Sequence, residues 1–209
     1  CNDGRDTRRE GFEAAKVIPV LTFEDCLDAV LIADALVAGG LTVIEVVLRT
    51  EAAWAALSAI VERHPKATVG VGTVMEGDQL KRAKAVGASF AVSPGFDPEL
   101  SATAHSENLY YLPGVATASE IMQARRDGHR FLKFFPAEAS GGVTALKSLA
   151  PPFWDIAVCP TGGIGQSNVA DYLAQTNVAC VGGSWIASNA DIAQRDWAAI
   201  TAKAKAARR

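Results

Sequence analysis

The sequence lacks the features of a membrane protein and of a nucleic-acid-binding protein. Its longest apolar run, residues 29–37, is interrupted by Asp34 and falls far short of the roughly 18 residues of a membrane span. Its 20 basic and 23 acidic residues are interspersed and give a net charge of -3. A nucleic-acid surface would need Lys and Arg clustered on one face. We therefore expect no membrane partner and no nucleic-acid partner.

Cysteine and histidine are also scarce, which argues against a disulfide framework and against a metal site. The three histidines are far apart and belong to no ligand motif. The N-terminal segment CNDGRDTRRE contains acidic residues and is followed by no apolar stretch, unlike a targeting peptide. We predict a cytoplasmic, metal-free protein whose four cysteines are reduced and show no CxxC spacing: Cys1, Cys26, Cys159 and Cys180.

What the chain does contain is a regular alternation of strand-like and helical segments. Ala-rich segments with helical spacing separate the strand-like runs, and several of them end in glycine, as at Gly87 and Gly128. This alternation predicts a single-domain α/β fold, a (β/α)8 TIM barrel over residues 17–209, after a short N-terminal helix in the segment 1–16. The eight strand-like runs are residues 17–21, 42–48, 68–73, 89–94, 109–113, 130–135, 155–160 and 178–183.

A doubly wound open sheet is the alternative fold. Such sheets often carry a GxGxxG turn after the first strand, and the segment VIPVLTFED has none. We therefore favour the barrel, in which catalytic side chains lie at the C-terminal ends of the strands.

Lys133 lies in the apolar run FLKFF, where period-two alternation puts Phe131, Lys133 and Phe135 on one face. Burial disfavours the ammonium form, and a neutral amine is the nucleophile that forms an imine with a ketone. The other seven lysines fall in predicted helices, at helix ends or in loops. A snorkelling side chain or a structural ion pair would explain Lys133 without chemistry. We favour a Schiff-base nucleophile.

Glu45 interrupts the apolar run TVIEVVL in the same way, with Val43 and Val47 on its face. This alternation points the carboxylate into the predicted barrel. A structural pair with Lys133 is one explanation. Imine chemistry is the other, because a carboxyl group beside the lysine can move protons to and from substrate atoms.

Arg49 follows the same strand-like run, and its planar guanidinium suits a carboxylate held by two hydrogen bonds. Four residues of extended strand span about 13 Å. Arg49 and Glu45 can therefore contact one small ligand only if the chain bends after Leu48. A pair with Glu51, or simple solvation, is the alternative role.

Two glycine-rich turns, PTGGIG at 160–165 and GGSW at 182–185, follow the last two runs. Glycines let backbone N–H groups approach an anion, and barrels commonly bind phosphate after strands seven and eight. Glycines that only permit tight turns are the simpler explanation, but two such turns in register favour a phosphate site. Thr73, at the end of the third run, either donates to a carboxylate or caps the next helix, and Pro94 shapes the rim after the fourth.

Together, these segments resemble the bacterial 2-keto-3-deoxy-6-phosphogluconate (KDPG) aldolases of the Entner–Doudoroff route, within the KDPG/KHG family of class I aldolases. The combination of EVVLRT, FLKFFPAE and PTGGI is specific, and residues 1–16 and the tail after Ser188 match poorly. The matching segments, from about residue 17 to 187, are VIPVL, ALVAGGLTVIEVVLRTEAA, VGVGTV, FAVSPGF, YLPGVATASE, FLKFFPAEASGGV, CPTGGI and VGGSWI.

The resemblance implies a role for each candidate residue. Lys133 is expected to be the Schiff-base lysine and Glu45 the acid/base group. No cofactor is expected, because the imine itself is the electron sink. A homotrimer is implied as well. The pyruvate carboxylate and the substrate pocket are expected to involve Arg49, Thr73, Pro94, Phe135 and Thr161, the last at the position that tunes aldehyde stereochemistry. The phosphate is expected to bind at Gly162, Gly163, Gly183 and Ser184.

The predicted function is cleavage of KDPG to pyruvate and glyceraldehyde 3-phosphate. A 4-hydroxy-2-oxoglutarate (KHG) aldolase is the nearest alternative, with the same imine and a carboxylate in place of the phosphate; one enzyme can do both. Galactonate-type relatives differ in aldehyde stereochemistry. From another class, a phosphate-binding barrel isomerase or epimerase would use the same glycine turns, but it would not need Lys133 facing Glu45. A non-catalytic binding barrel would have little reason to bury both groups.

Overall fold

The computed structural model describes residues 7–208, which alternate between helices and strands. No helix in this range combines the length and the apolar composition that crossing a membrane requires. The strands, β1 to β9 in chain order, are Val17–Leu21, Val43–Val47, Thr68–Gly72, Phe90–Val92, Tyr110–Leu112, Gly114–Val115, Phe131–Phe134, Ala157–Pro160 and Val181–Gly183. The α-helices, α1 to α10, are Thr7–Ala15, Ala29–Ala38, Ala53–Arg63, Gly77–Val86, Pro98–Ser106, Ala118–Arg126, Gly142–Leu149, Val169–Leu173, Asn189–Ala193 and Trp197–Ala207, and a 3-10 turn spans Trp185–Ala187.

The strands pair in parallel and form two sheets. One has the order β5-β4-β3-β2-β1-β9, and the other has the order β6-β7-β8. Two isolated parallel bridges, Val158 with Val178 and Thr161 with Gly182, connect β8 to the β9 segment. Parallel neighbours need crossover connections, and helices supply most of them here. The predicted α/β class with a parallel sheet is confirmed.

The structure has nine strands where eight runs were predicted, because a short strand that the sequence did not predict, β6, begins directly after the fifth run ends at Pro113. β5 ends at Leu112 and pairs with β4, whereas β6 begins at Gly114 and pairs with β7. Proline has no N–H to donate to a strand ladder, although the Pro113 carbonyl accepts from the Lys133 N–H at 2.9 Å. The eighth run is shorter than predicted. It becomes a strand only at Val181, because Val178 contacts β8 through a single bridge.

The strands are buried on both faces, as is usual for parallel sheets. In β2, all five residues are buried. Ile44 and Val46 belong to the outer cluster between strands and helices, together with Leu57 and Ile60 of α3. The inner cluster, on the other face of the strands, consists of Phe12, Ile18, Val43, Phe90, Val92, Leu112, Phe131, Ala157, Cys159 and Cys180.

Helix α1 covers one end of the inner cluster, and it provides the short N-terminal helix that the sequence predicted. Phe12 is buried, and its ring centroid lies 5.0 Å from that of Phe90 and 5.5 Å from that of Phe131, both edge-on. Phe90 and Phe131 begin β4 and β7, so the helix covers the N-terminal ends of the strands. The rest of the predicted N-terminal segment, residues 1–6, lies outside the described residues.

Candidate active site

Two ionisable side chains are buried inside the curved sheets, Glu45 in the middle of β2 and Lys133 in β7. Within residues 9–208 they are the only buried Asp, Glu, Lys or Arg side chains, each 4% exposed. Lys133 Nζ lies 3.4 Å from Glu45 Oε1. Either charge alone would be costly to remove from water, so each needs the other nearby. The structure therefore places the two residues as the sequence predicted.

Lys133 lies between two phenylalanines of the same face, Phe131 before it and Phe135 after it. Along β7, Phe131 lies two residues earlier on the same face and belongs to the inner cluster. Lys133 Nζ lies 5.2 Å from the centre of the Phe135 ring, within the range of a cation–π contact. The peptide bond between Phe135 and Pro136 is cis. Glu45 is the acceptor to which the amine donates.

Arg49 lies beside Thr73 because the chain turns sharply after β2. The Leu48 N–H donates to the Gly72 carbonyl at 2.9 Å, and the Arg49 N–H donates back to the Val47 carbonyl at 2.9 Å. This three-residue turn is the bend that the sequence required after Leu48. Arg49 Nε donates to Thr73 Oγ1 at 3.3 Å. The guanidinium thus contacts Thr73 rather than the alternative partner Glu51.

Thr73 itself has an unusual backbone conformation. Its φ is +61°, in the left-handed region that β-branched residues rarely adopt. Such a conformation costs of order 1–3 kcal/mol and persists only where neighbouring structure fixes it. Thr73 caps no helix, since α4 begins after Glu76. Its hydroxyl accepts from Arg49 instead, and donation to a carboxylate, the other role considered for it, stays a prediction.

The rim after β4 is fixed by a chain of two hydroxyl groups. Ser93 Oγ donates to the Gly95 carbonyl at 2.6 Å, and the Tyr111 hydroxyl lies 2.6 Å from Ser93 Oγ. Because Ser93 has one hydroxyl proton, Tyr111 is the donor to it. Burial raises the pKa of Tyr111 to about 12, partly offset by the bond to Ser93. Tyr111 is therefore a protonated donor at neutral pH. The two hydroxyl hydrogen bonds, from Tyr111 to Ser93 and from Ser93 to Gly95, hold Pro94 in place.

Pro94 lies against the strand next to Lys133. A Cβ on Gly114 would be 2.2 Å from the Pro94 carbonyl oxygen. Gly114 in turn is the register partner of Lys133 across β6 and β7. Gly114 therefore lies between Pro94 and the strand of Lys133.

The two glycine-rich turns are neighbours. Thr161 is buried at the end of β8 and bridges to Gly182 of β9. Gly162 and Gly163 have φ values of +103° and +77°, and a Cβ on Gly162 would contact the Phe135 ring at 3.4 Å. Gly183 ends β9 as a buried residue, and Ser184 follows it in an exposed position. The predicted phosphate residues thus lie beside one another.

All eleven predicted site residues therefore come together at one end of the sheets. Glu45 and Lys133 lie within their strands, and the others end or follow a strand. In parallel sheets these C-terminal ends share one edge. Within residues 7–208, no group of three His, Cys, Asp or Glu side chains is arranged to hold a metal ion.

Sequence reasoning missed three residues that support this site: Gly72, Glu138 and Tyr172. A Cβ on Gly72 would clash with the Glu45 carboxylate. The Tyr172 hydroxyl donates to Glu138 Oε1 beside the turn at Gly162. Glu138 follows β7 in the segment FFPAE, and a position just after the C-terminal end of a strand could have indicated that it lies near the site. For Tyr172 in α8 and Gly72 in β3, nothing in the sequence beyond the residue type indicated a role in the site.

Comparison with known proteins decides the family. The family model described as KDPG and KHG aldolase matches residues 9–203. The chain belongs to this family. The match extends beyond residues 17–187, which corrects the expectation that the N-terminal helix and the segment after Ser188 fall outside the resemblance. Both pack into the fold, Phe12 in the inner cluster and Ile200 in the outer one.

Relatives in the family are similar over almost their whole length. A 2-dehydro-3-deoxy-phosphogluconate aldolase of Pseudoalteromonas atlantica is 46% identical over 94% of this chain and 91% of its own. A KDPG aldolase structure from Legionella pneumophila, with pyruvate captured as a covalent carbinolamine, has a TM-score of 0.93 and 41% identity over 95% of this chain and 97% of that one. One from Zymomonas mobilis with 3-phosphoglycerate has a TM-score of 0.90 and 44% identity, covering 97% of this chain and 95% of that one.

Proposed function

We propose that this protein is a class I aldolase that cleaves 2-keto-3-deoxy-6-phosphogluconate into pyruvate and glyceraldehyde 3-phosphate through an imine on Lys133. The observation that carries this proposal is the pairing of the one buried lysine with the one buried carboxylate in residues 9–208, at 3.4 Å. The carbinolamine of pyruvate in the Legionella pneumophila relative supports the same chemistry here.

The proposed reaction begins with transfer of the Lys133 proton to Glu45, which leaves a neutral amine. The amine attacks the C2 ketone, and Glu45 protonates the departing hydroxyl group as water leaves. The iminium then accepts the electrons of the C3–C4 bond while Glu45, directly or through a water molecule, takes the C4 hydroxyl proton. The aldehyde leaves, the enamine is protonated at C3, and hydrolysis releases pyruvate and Lys133.

Arg49 and Thr73 are proposed to bind the carboxylate of the keto acid. The 3.3 Å contact between them brings a guanidinium and a hydroxyl to one place at the open end of the site. A guanidinium can hold a carboxylate with two parallel hydrogen bonds. Pro94, Phe135 and Thr161 are proposed to line the pocket around the lysine, with Thr161 positioned beside the leaving aldehyde.

Gly162, Gly163, Gly183 and Ser184 are proposed to bind the phosphate group. The bridge between Thr161 and Gly182 makes the two turns neighbours, which supports one anion shared by their backbone N–H groups and the exposed Ser184 hydroxyl. The Zymomonas mobilis structure with 3-phosphoglycerate supports a phosphorylated three-carbon unit as the ligand. KHG cleavage is the second candidate, since the matching family model covers aldolases of both substrates.

Borohydride trapping tests the nucleophile. The protein is treated with pyruvate and borohydride and then digested, and the peptides are weighed by mass spectrometry. One reduced pyruvate on the peptide that contains Lys133 is expected. Lys133→Arg should abolish labelling and cleavage, since a guanidinium stays protonated. Labelling at another lysine, or full activity in Lys133→Arg, would overturn the mechanism.

We also propose that the strands form one closed eight-stranded barrel, with β5 and β6 sharing one position, as the catalytic domain over residues 17–209. The bridges between β8 and the β9 segment support closure on one side. The pairing of β6 with β7 directly after β5 supports it on the other. The segment 1–16 is then an N-terminal extension whose helix α1 covers one end of the barrel.

A homotrimer in the cytoplasm completes the proposal. The resemblance to the family implies the trimer, and exposed apolar side chains such as Leu27 and Trp154 are surfaces of the kind that subunits cover. A phosphorylated substrate does not cross membranes, so the enzyme should share the compartment that produces it. Light scattering should give three times the chain mass of 21.9 kDa; a mass of one chain would exclude the trimer.

A further inference from the structure

The Gly162–Gly163 turn is held from one side by three hydrogen bonds to consecutive carbonyl groups. The Ala137 N–H donates to the Thr161 carbonyl at 2.8 Å, and the Glu138 N–H donates to the Gly162 carbonyl at 3.1 Å. The side-chain amide of Asn168 donates to the Gly163 carbonyl at 3.1 Å. All three carbonyl groups are therefore turned toward the loop after β7 and the start of α8.

These bonds also set the direction of the backbone N–H groups. In a trans peptide, the N–H group points away from the carbonyl group of the same unit. The three fixed carbonyls therefore direct the N–H groups of Gly162, Gly163 and Ile164 away from Ala137, Glu138 and Asn168. These N–H groups are donors of the kind that bind an anion in a glycine-rich turn.

The loop after β7, whose N–H groups bind the turn, is itself held by the buried hydroxyl group of Tyr172. The side chain of Glu138 lies against Gly163, where an added Cβ would be 2.5 Å from Glu138 Cγ. Its carboxylate accepts the hydroxyl of Tyr172, which is fully buried in α8. Burial and the neighbouring carboxylate raise the pKa of Tyr172 above its usual value, so the hydroxyl keeps its proton.

We propose that Glu138 and Tyr172 are positioning residues that hold the Gly162–Gly163 turn in its phosphate-binding orientation. This inference rests on the phosphate site proposed above. Neither residue touches the reacting atoms: Tyr172 acts on Glu138, and Glu138 acts on the turn through its backbone N–H and through contact with Gly163. Loss of the Tyr172 hydroxyl frees the loop, and the N–H groups then no longer converge on the anion.

The test compares Tyr172→Phe with the wild-type enzyme, using inorganic phosphate as a competitive inhibitor of cleavage. Phenylalanine keeps the buried ring and removes only the hydroxyl. We expect the inhibition constant for phosphate and the KM for the phosphorylated substrate to rise about tenfold, equivalent to ~1.4 kcal/mol. Exchange of pyruvate methyl protons with solvent, which involves Lys133 but no phosphate, should stay at the wild-type rate. A general loss of structure would slow this exchange as well.

Two variants at Glu138 complete the test. Glu138→Gln keeps an oxygen that accepts from Tyr172. Its inhibition constant for phosphate should remain within about threefold of the wild-type value, a smaller change than the tenfold expected from the loss of one hydrogen bond. Glu138→Ala should reproduce the effect of Tyr172→Phe. Unchanged phosphate inhibition in both Tyr172→Phe and Glu138→Ala would overturn the positioning role while leaving the phosphate site intact. A wild-type enzyme that phosphate does not inhibit would instead overturn the proposed phosphate site, and this inference with it.

Discussion

The carboxylate of Glu45 occupies the space where Gly72 would carry a side chain. An ideal Cβ on Gly72 would lie 1.9 Å from Glu45 Oε1 and 2.7 Å from Glu45 Cδ. β2 and β3 are paired, with Gly72 opposite Val47, so the backbone cannot easily move apart. The Glu45 carboxylate can therefore occupy this position only because residue 72 has a hydrogen atom in place of a side chain.

Gly72→Ala should displace the Glu45 carboxylate from Lys133 and slow the reaction. A misplacement of about 1 Å can cost about 10²-fold in rate, so a loss of that order in kcat is expected. Imine trapping by pyruvate and borohydride should survive, because Lys133 is not displaced directly. Gly11→Ala is the matched control, since a Cβ there meets nothing within 4 Å. A wild-type kcat in Gly72→Ala would mean that the rate does not depend on the position of the Glu45 carboxylate.

Glu45→Gln separates proton transfer from imine formation. The amide has nearly the same shape as the carboxylate but cannot accept a proton, so exchange of pyruvate methyl protons should slow by ~10²–10⁴-fold. Imine formation at Lys133 should also slow, because Glu45 assists it, but the reduced adduct should still accumulate on long incubation, and mass spectrometry measures it. If exchange continues at the wild-type rate, Glu45 is a structural partner of Lys133 and another group moves the proton.

Local pattern was enough to predict the α/β class and the positions of most strands. Strand-like runs such as VIPVL coincide with strands because buried parallel strands are apolar on both faces. The extra strand β6 after Pro113 and the late start of β9 depend on which partner strand each backbone group meets. Periodicity within one segment contains no information about such pairing.

The site was predictable where its residues contradict their surroundings. Lys133 and Glu45 are charged residues in apolar strands, and Arg49 required a bend that the structure shows. The contribution of Tyr172 was not predictable in this way, because tyrosine is ordinary in a buried helix. Its hydroxyl gains a role only through Glu138, which is 34 residues away in the chain.

Thr73→Gly should preserve stability while it lowers activity. The φ of +61° strains a threonine by about 1–2 kcal/mol, whereas glycine adopts this conformation freely at an entropic cost of ~0.5–1 kcal/mol. The free energy of unfolding in urea should therefore stay level or rise slightly. Loss of the hydroxyl beside Arg49 should lower kcat/KM about tenfold, the effect of one hydrogen bond.

Thr68→Gly provides the control for this prediction. Thr68 begins β3, the strand that Thr73 directly follows, and its φ is not positive. Glycine there should lower the free energy of unfolding by about 1 kcal/mol, since it loses strand-favouring side-chain contacts. If Thr73→Gly destabilises the protein as much as Thr68→Gly does, the left-handed conformation is not a source of strain.

Tyr111 should make the protein less stable in the alkaline range. Burial raises its pKa to about 12 in the folded protein, against about 10 in an unfolded chain. Between these values the folded state retains a proton that the unfolded state has lost, so stability falls as pH rises, by at most ~1.4 kcal/mol per pH unit. Below pH 10 Tyr111 contributes no pH dependence.

Tyr111→Phe should remove this part of the pH dependence, because phenylalanine has no proton to lose. Urea unfolding at a series of pH values from 9 upward measures the slope for both proteins. Other groups that titrate in this range contribute equally to wild type and variant, so the difference between the two slopes isolates Tyr111. Identical slopes would show that the tyrosine ionises equally easily in the folded and unfolded chains.

Ser184→Ala should distinguish a phosphate site from a pair of simple turns. In the proposed complex, the Ser184 hydroxyl donates to a phosphate oxygen, a charge-assisted bond worth ~1.5–3 kcal/mol. Its loss should lower kcat/KM for the phosphorylated six-carbon acid by about 10–100-fold. Cleavage of 4-hydroxy-2-oxoglutarate should barely change. Arg49→Ala should impair both reactions, because both substrates present the same keto-acid carboxylate.

The wild-type enzyme sets the reference for this comparison. If several such bonds form, the phosphorylated substrate should exceed 4-hydroxy-2-oxoglutarate in kcat/KM by at least about 10²-fold, since ~3 kcal/mol already gives that ratio. Steady-state kinetics on both substrates with wild type, Ser184→Ala and Arg49→Ala measure all of these quantities. If the wild type has equal kcat/KM on the two substrates and Ser184→Ala changes neither value, the glycines serve only to form tight turns. The same imine chemistry at Lys133 would then belong to a 4-hydroxy-2-oxoglutarate aldolase.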